Sequence, residues 1–195
     1  MIPYGRQHIT QEDIDAVVET LQSDFLTQGP AVIKFENNFS NFLGVKHSIA
    51  VNNATSALHL CCLALGVKSG SKVLCTPNTF VASSNCVLYC GGEVEFVDID
   101  PTTFCIDYEL LRQKIESSKP GTYAGLIAVD FAGYPLDLEK LRSIIKPHGL
   151  WLIEDACHAP GAQFKDSKGN WQYAGNGQFA DLATFSFHPV KHIAT

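Results

Sequence analysis

Six short β-rich runs, HSIAVN, KVLCTP, EVEFVDID, AGLIAVDFAG, LWLIEDA and DLATFSFH, recur along the chain. Each has strand length, most are apolar on both alternating faces, and helical patterns separate most of them. A strand that is apolar on both faces has to be covered on both. The pattern therefore predicts an α/β fold: a mostly parallel sheet with helices on both faces, joined by right-handed crossovers. In such sheets ligands gather just past the carboxyl ends of the strands. The residues that follow each run are the ones to read for chemistry.

The helical segments carry their own punctuation. TQEDIDAVVETLQS opens on Thr10 as N-cap and places Ile14, Val17, Val18 and Leu21 at helical spacing. AVIKFENNFSNFLG runs to Gly44, a residue suited to ending a helix. NATSALHLCCLALG reads as a buried helix, TFVASSNCVLYCG as another, and YELLRQKIES as a third, capped by Asp107. LDLEKLRSIIKPHG is a helix ended by Pro147 and Gly149, and the Gly-rich stretch GAQFKDSKGNWQYAGNGQFA reads as a connection.

With 195 residues, 46% hydrophobic and 17% charged, the chain has enough apolar material for one full-sized domain, or one and part of another. A net charge of −6 offers no attraction to a phosphate backbone or an anionic membrane, so neither nucleic acid nor membrane is expected as a partner. The start MIPYGRQHIT lacks the apolar core of a secretory signal. The seven cysteines include no CxxC and read as small buried hydrophobes in a reducing compartment, which points to the cytoplasm.

After HSIAVN, the residues NATSAL open a helix, whose free N–H groups and positive dipole end suit a phosphate, with Thr55 and Ser56 adding hydroxyls. After KVLCTP stands Phe80, either a core residue or a ring platform. Asp130 follows AGLIAV as a site-facing group or a turn former. Asp155 ends the apolar run LWLIE, where a buried carboxylate needs a cation or donors; His158 follows it. After DLATFSF comes Lys191, at a position where partial desolvation supplies free amine for Schiff-base chemistry. His188 and His192 have an i,i+4 spacing, but Pro189 argues against a helical metal site and no metal is expected. A phosphate cradle, an aromatic, a buried Asp, a His, a Ser and a Lys, in that order at strand ends, describe a site for pyridoxal 5'-phosphate (PLP).

The stretches SDFLTQGP, NNATSALHL, TPNTFVAS, VDIDPTTFCID, EDACHAPGA and FSFHPVKHIAT together resemble the DegT/DnrJ/EryC1/StrS family of sugar aminotransferases, over the whole chain. The resemblance implies a fold-type-I PLP transferase large domain. It implies catalytic Lys191, Asp155 and His158, with Lys191 joined to the cofactor and Asp155 beside its pyridine nitrogen. It further implies Phe80 stacking on the ring, and Ala54, Thr55 and Ser186 on the phosphate. His158 stands where many relatives have glutamine, near the cofactor's 3'-oxygen. The opening residues and the lysine stretch are most similar to members serving pseudaminic acid biosynthesis. That similarity implies amination at C4 of a UDP-linked 4-keto-6-deoxy-N-acetylhexosamine with L-glutamate as donor, a homodimer, and Tyr4, Arg6, Phe25, Leu26 and Thr27 near the sugar nucleotide. Other nucleotide-linked 4-keto sugars, or a non-catalytic binding or subunit-pairing fragment, are the alternatives. Family members are roughly twice as long, so residues 1–195 are expected to hold the N-terminal segment and most of the large domain, without the C-terminal small domain. HSIAV and DLATF are then expected to lack the antiparallel strand that lies between them in the fold.

Overall fold

The computed structural model describes residues 7–195, which divide into two units. One takes in the chain up to Asn52 together with Phe187–Thr195; the other is Asn53–Ser186.

The first unit holds two helices, α1 (Gln11–Gln22) and α2 (Pro30–Leu43). Thr10 caps α1 with a reciprocal box: its Oγ1 accepts from the Asp13 N–H at 3.3 Å, and the Asp13 carboxylate accepts from the Thr10 N–H at 2.7 Å. Those donors hold the exposed Asp13 carboxyl below its ordinary pKa. The apolar residues of α1 at helical spacing are exposed, from 43% at Val18 to 65% at Leu21. Gly44 ends α2 in the left-handed region at φ 70°. Phe187 meets Phe35 and Phe39 of α2 edge-on, with centroids 5.3 and 5.4 Å apart. The predicted strand HSIAVN forms no ladder: residues 47–52 belong to no helix or strand, and Ile49 is 81% exposed. Strand propensity expresses fit to a pleated, half-buried surface, and no described strand pairs with this run.

The second unit carries the sheet. Its elements in chain order are α3 (Ala54–Ala64), β1 (Lys72–Cys75), α4 (Ala82–Tyr89), β2 (Glu93–Phe96), α5 (Tyr108–Glu116), β3 (Gly125–Val129), α6 (Leu138–Ile145), β4 (Trp151–Asp155), β5 (Gln163–Lys165), β6 (Trp171–Tyr173) and β7 (Leu182–Thr184). The main sheet has the order β2-β1-β3-β4-β7 and all its pairings are parallel. The caps read from the sequence are in place: Asp107 accepts from the N–H groups of Glu109 and Leu110, and Gly149 follows a short 3-10 turn at φ 73°. The stretch read as a connection contains the antiparallel hairpin β5–β6, held where Asp166 accepts from Lys168 and Asn170 N–H groups at 2.9 and 2.8 Å.

Alternation along the strands sorts the core into two layers. Leu74, Leu126, Ala128 and Leu152 face α5 and α6, packing with Leu111, Ile115, Leu141 and Ile145. Val73, Cys75, Ile127 and Ile153 face α3 and α4, packing with Leu58, Cys62, Cys86 and Val87. Helix α3 is buried only along this stripe; Leu60 and Leu63 are each 51% exposed, so it is a surface helix rather than a buried one. All seven cysteines are free thiols, and burial raises the Cys75 pKa to about 12. The chain turns from β2 back across β1 to β3, so the sheet's switch point lies between β1 and β3, and Asp155 ends the next strand over.

Candidate functional site

Asp155 is 4% exposed at the end of β4, on the face shared with Ile153. No lysine or arginine pairs with it among the described residues. Its partners are neutral donors: Ser83 Oγ at 2.6 Å on Oδ2, and the Cys157 N–H at 3.2 Å on Oδ1. The ion pair that burial of a carboxylate ordinarily demands is replaced by these two hydrogen bonds. Ser83 has one hydroxyl proton and gives it to the carboxylate at the shortest of its contacts. It can then accept from Thr79 Oγ1, 2.7 Å away, so the two hydroxyls form a relay ending on Asp155. Thr184, in register with Asp155 on β7 and fully buried, has a hydroxyl with no partner among the described residues.

Phe80 sits at the turn between β1 and α4 and is 68% exposed, so it is not a core residue. Its carbonyl accepts from the Ser83 N–H at 3.0 Å, which fixes the turn to the residue that holds Asp155. Helix α3 leads through Gly66 to the start of β1, so its N-terminus opens at the carboxyl edge of the sheet. It packs on the same face as Asp155. Asn53 caps it, its Oδ1 accepting from the Ser56 N–H at 2.8 Å. The N–H groups of Ala54 and Thr55, the first two of the helix, have no partner among the described residues, which leaves them directed outward at a positive dipole end.

His158 lies half-buried beyond β4, against the Phe131 ring at 6.3 Å between centroids. Its Nδ1 accepts from the Ala132 N–H at 3.3 Å, which places the neutral ring's proton on Nε2. Ala132 holds φ 54° and Gly133 φ 82°, and a side chain at 133 would meet the His158 carbonyl at 2.9 Å. This close approach explains the glycine. Ser186 is half-buried two residues past β7.

Lys191 belongs to the first unit. It follows a turn at Pro189 and Val190, with its N–H donating to the His188 carbonyl at 2.8 Å, and its side chain is half-buried. Gln7 donates to the Pro189 carbonyl in the same turn. His188 and His192 lie in irregular backbone, not on a helix, as Pro189 implies. Phe25 and Leu26 are exposed at 59% and 66%, with Thr27 beside them, in a loop that closes where Gly29 approaches Phe25. Tyr4 and Arg6 lie outside the described residues.

Within the second unit the structure therefore brings Ala54, Thr55, Phe80, Asp155 and His158 to the carboxyl edge of one sheet. Sequence reasoning missed Ser83: a serine inside a helical pattern carries no signal by itself, although its place three residues past Phe80 fits a hydroxyl returning to the turn. It also missed Glu154, since the adjacent Asp155 had drawn attention to only one face. A cavity of about 400 Å³ lies elsewhere, bordered by Tyr108, Tyr134, Lys140 and Phe164, and none of the candidate residues lines it.

A parallel sheet with a helix N-terminus and a buried carboxylate at its carboxyl edge is the organisation of an α/β domain that holds its ligand at the strand ends. The chain belongs to the DegT/DnrJ/EryC1/StrS aminotransferase family, whose sequence pattern matches residues 7–195. It is 41% identical over its whole length to the UDP-4-amino-4,6-dideoxy-N-acetyl-beta-L-altrosamine transaminase of Campylobacter jejuni, covering 49% of that protein. The PLP form of the Streptococcus pneumoniae protein Spr1654 superposes with a TM-score of 0.85 at 30% identity, over 99% of this chain and 50% of that one. Helicobacter pylori PseC, an aminotransferase involved in the biosynthesis of pseudoaminic acid, superposes at 0.84 and 32% identity, over 98% and 49%. The fold is thus that of PLP aminotransferases, and the chain spans about half the length of the relatives it matches.

Proposed function

We propose that this chain forms the cofactor-binding part of a PLP-dependent aminotransferase that acts on C4 of a UDP-linked 4-keto-6-deoxy-N-acetylhexosamine, with L-glutamate as amino donor, in pseudaminic acid biosynthesis. The observation that carries the reading is Asp155, a buried carboxylate with neutral donors alone among the described residues, at the strand edge where the N-terminus of α3 opens. The residues present fit the cofactor: the unpaired N–H groups of Ala54 and Thr55 suit its phosphate, and a buried carboxylate without a cation suits a protonated pyridine nitrogen. PLP, when bound, supplies the electron sink for the carbanion formed at the amino-bearing carbon.

The chain's own residues divide the remaining work. Asp155 holds a proton at the pyridine nitrogen, and the Thr79–Ser83 relay holds Asp155. Phe80 covers one ring face and excludes water from it. Ser186 adds a hydroxyl to the phosphate cradle. His158, with its proton on Nε2, donates toward the cofactor's 3'-oxygen, the role glutamine has in many relatives. Lys191 provides the amine that attaches the cofactor and then moves a proton to and from the substrate carbon. Phe25, Leu26 and Thr27, with Tyr4 and Arg6, contact the sugar nucleotide. The sugar and nucleotide rest on the name of the Campylobacter relative, and the pathway on the description of PseC. We further propose a cytoplasmic homodimer, with the counterpart of the relatives' second half completing the activity. No helix among the described residues is long and apolar enough to cross a membrane.

Transfer of ¹⁵N from labelled glutamate to the UDP-linked 4-keto sugar by the chain joined to the counterpart of the relatives' second half, read by mass spectrometry of the product, tests the proposal. Label at C4 that is lost in Asp155→Ala supports it. Transfer only to a GDP- or dTDP-linked 4-keto sugar would move the substrate within the family, and no transfer to any of them would overturn the activity.

A further inference from the structure

Directly behind Asp155, on the opposite face of the sheet, two more carboxyl groups are buried: Asp130 at 0% and Glu154 at 1% exposure. Their placement follows from the β3–β4 register. Ala128 stands opposite Glu154, and Asp130 follows two residues later on the same face, so the longer glutamate side chain can lean past the small alanine toward it. One oxygen of each group is accounted for. Asp130 Oδ1 accepts from the Leu136 N–H at 2.9 Å, and Glu154 Oε2 accepts from the Gly175 N–H at 2.9 Å. The other two oxygens, Asp130 Oδ2 and Glu154 Oε1, have no N–H or O–H donor among the described residues. A side-chain hydrogen bond joins the two carboxyl groups, and these are the oxygens left to make it.

Two acceptors facing one another are bonded only if a proton lies between them. No salt bridge among the described residues reaches either group. With Asp155 next along the strand, full ionisation would bury three negative charges together, an arrangement that like charges and a low dielectric both oppose. Two further titratable groups near the pair, Cys105 and Tyr108, are neutral at pH 7 and provide no positive charge; His158 faces the same loop through the Ala132 N–H.

We infer that Asp130 and Glu154 share one proton, forming an acid–carboxylate pair that ties the 131–136 turn and the Gly175 turn to the ends of β3 and β4 and so positions His158. The ties are specific. Asp130 Oδ1 closes the loop back to Leu136, and within that loop Ala132 gives its N–H to His158. Glu154 Oε2 holds Gly175, which has φ 75° and sits so close to the Phe185 ring that it has no room for a side chain. The shared proton bonds one loop to the other across the strand pair. Glu154 and Asp130 are positioning residues; neither is placed to touch the cofactor, and the inference stands without the proposed reaction. Burial raises both pKa values, that of Asp130 to about 7 and that of Glu154 well above its ordinary value, which agrees with a proton retained at neutral pH.

The test is a carboxyl ¹³C titration of the chain labelled at Asp Cγ and Glu Cδ, from about pH 4 to 9, with ¹⁵N-labelled histidine and glycine and without cofactor. Assignment comes from Glu154→Gln, whose amide replaces the proton as donor to Asp130. In the wild type the two resonances should titrate as a coupled pair that holds one proton at pH 7. In Glu154→Gln, Asp130 should titrate alone at lower pH, with the His158 Nδ1 and Gly175 amide signals unmoved. In Glu154→Leu, which removes both oxygens, those two signals should shift. Independent titration of both groups in the ordinary carboxylate range would overturn the shared proton, and the wild-type curve alone decides this if Glu154→Leu does not fold. Unmoved His158 and Gly175 signals in a folded Glu154→Leu would overturn the positioning role.

Discussion

The Ser83 hydroxyl at 2.6 Å is what makes an uncharged pocket tolerable for Asp155. Ser83→Ala leaves one oxygen of a buried carboxylate without a donor, so we expect a loss of about 1–3 kcal/mol in urea unfolding. Asp155→Asn separates stability from function. A neutral amide relieves the buried charge, so unfolding stability should stay level or rise. It cannot hold a proton on a pyridine nitrogen, so transamination should fall by orders of magnitude. Comparable activity in Asp155→Asn would remove that residue from the role proposed for it. At this scale the sequence was legible where chemistry conflicts with setting: an aspartate ending an apolar strand stands out, whereas Ser83 and Glu154 do not. A serine fits any helix, and Glu154 points to the face opposite its conspicuous neighbour.

Among the elements, α3 and the Gly175 turn carry the sharpest expectations. Asn53→Ala removes the side chain that caps α3, and unfolding stability should drop by about 1 kcal/mol. Because the cap also sets the direction of the Ala54 and Thr55 N–H groups, affinity for PLP should weaken in the same variant. Gly175→Ala adds a Cβ in the left-handed region against the Phe185 ring, and a loss of about 1–3 kcal/mol is expected in urea unfolding. The helices were readable from caps such as Thr10, Asp107 and Gly44, which act locally. The elements misread were those decided by partners. HSIAVN has strand composition but no described strand beside it, while GAQFKDSKGNWQYAG pairs its halves around Asp166 despite a polar, Gly-rich sequence.

Across the second unit, the buried acids make stability depend on pH in a definite direction. A carboxyl whose pKa is raised on folding binds its proton more tightly folded than unfolded. Its contribution is most favourable below the unfolded carboxylate value, about 4, and declines as pH rises through the folded value. For Asp130 the decline extends to about pH 7. The unfolding free energy from urea melts across this range should fall by an amount on the order of 4 kcal/mol, and Glu154→Gln should flatten the slope. A sheet layered between α3 and α4 on one side and α5 and α6 on the other could be read from alternating apolar runs. The proton inside it could not, because which buried carboxyls meet depends on register.

The most direct test of the cofactor assignment is borohydride reduction of the chain after incubation with excess PLP, followed by peptide mass mapping. Reduction traps even a sparsely populated attachment irreversibly, so weak binding still accumulates as product. We predict a pyridoxyl mass on the peptide carrying Lys191, absent in Lys191→Ala. Label spread over the other lysines at the same level in both proteins would contradict the assignment of this lysine and, with it, the reading of the chain as the cofactor-binding part of an aminotransferase.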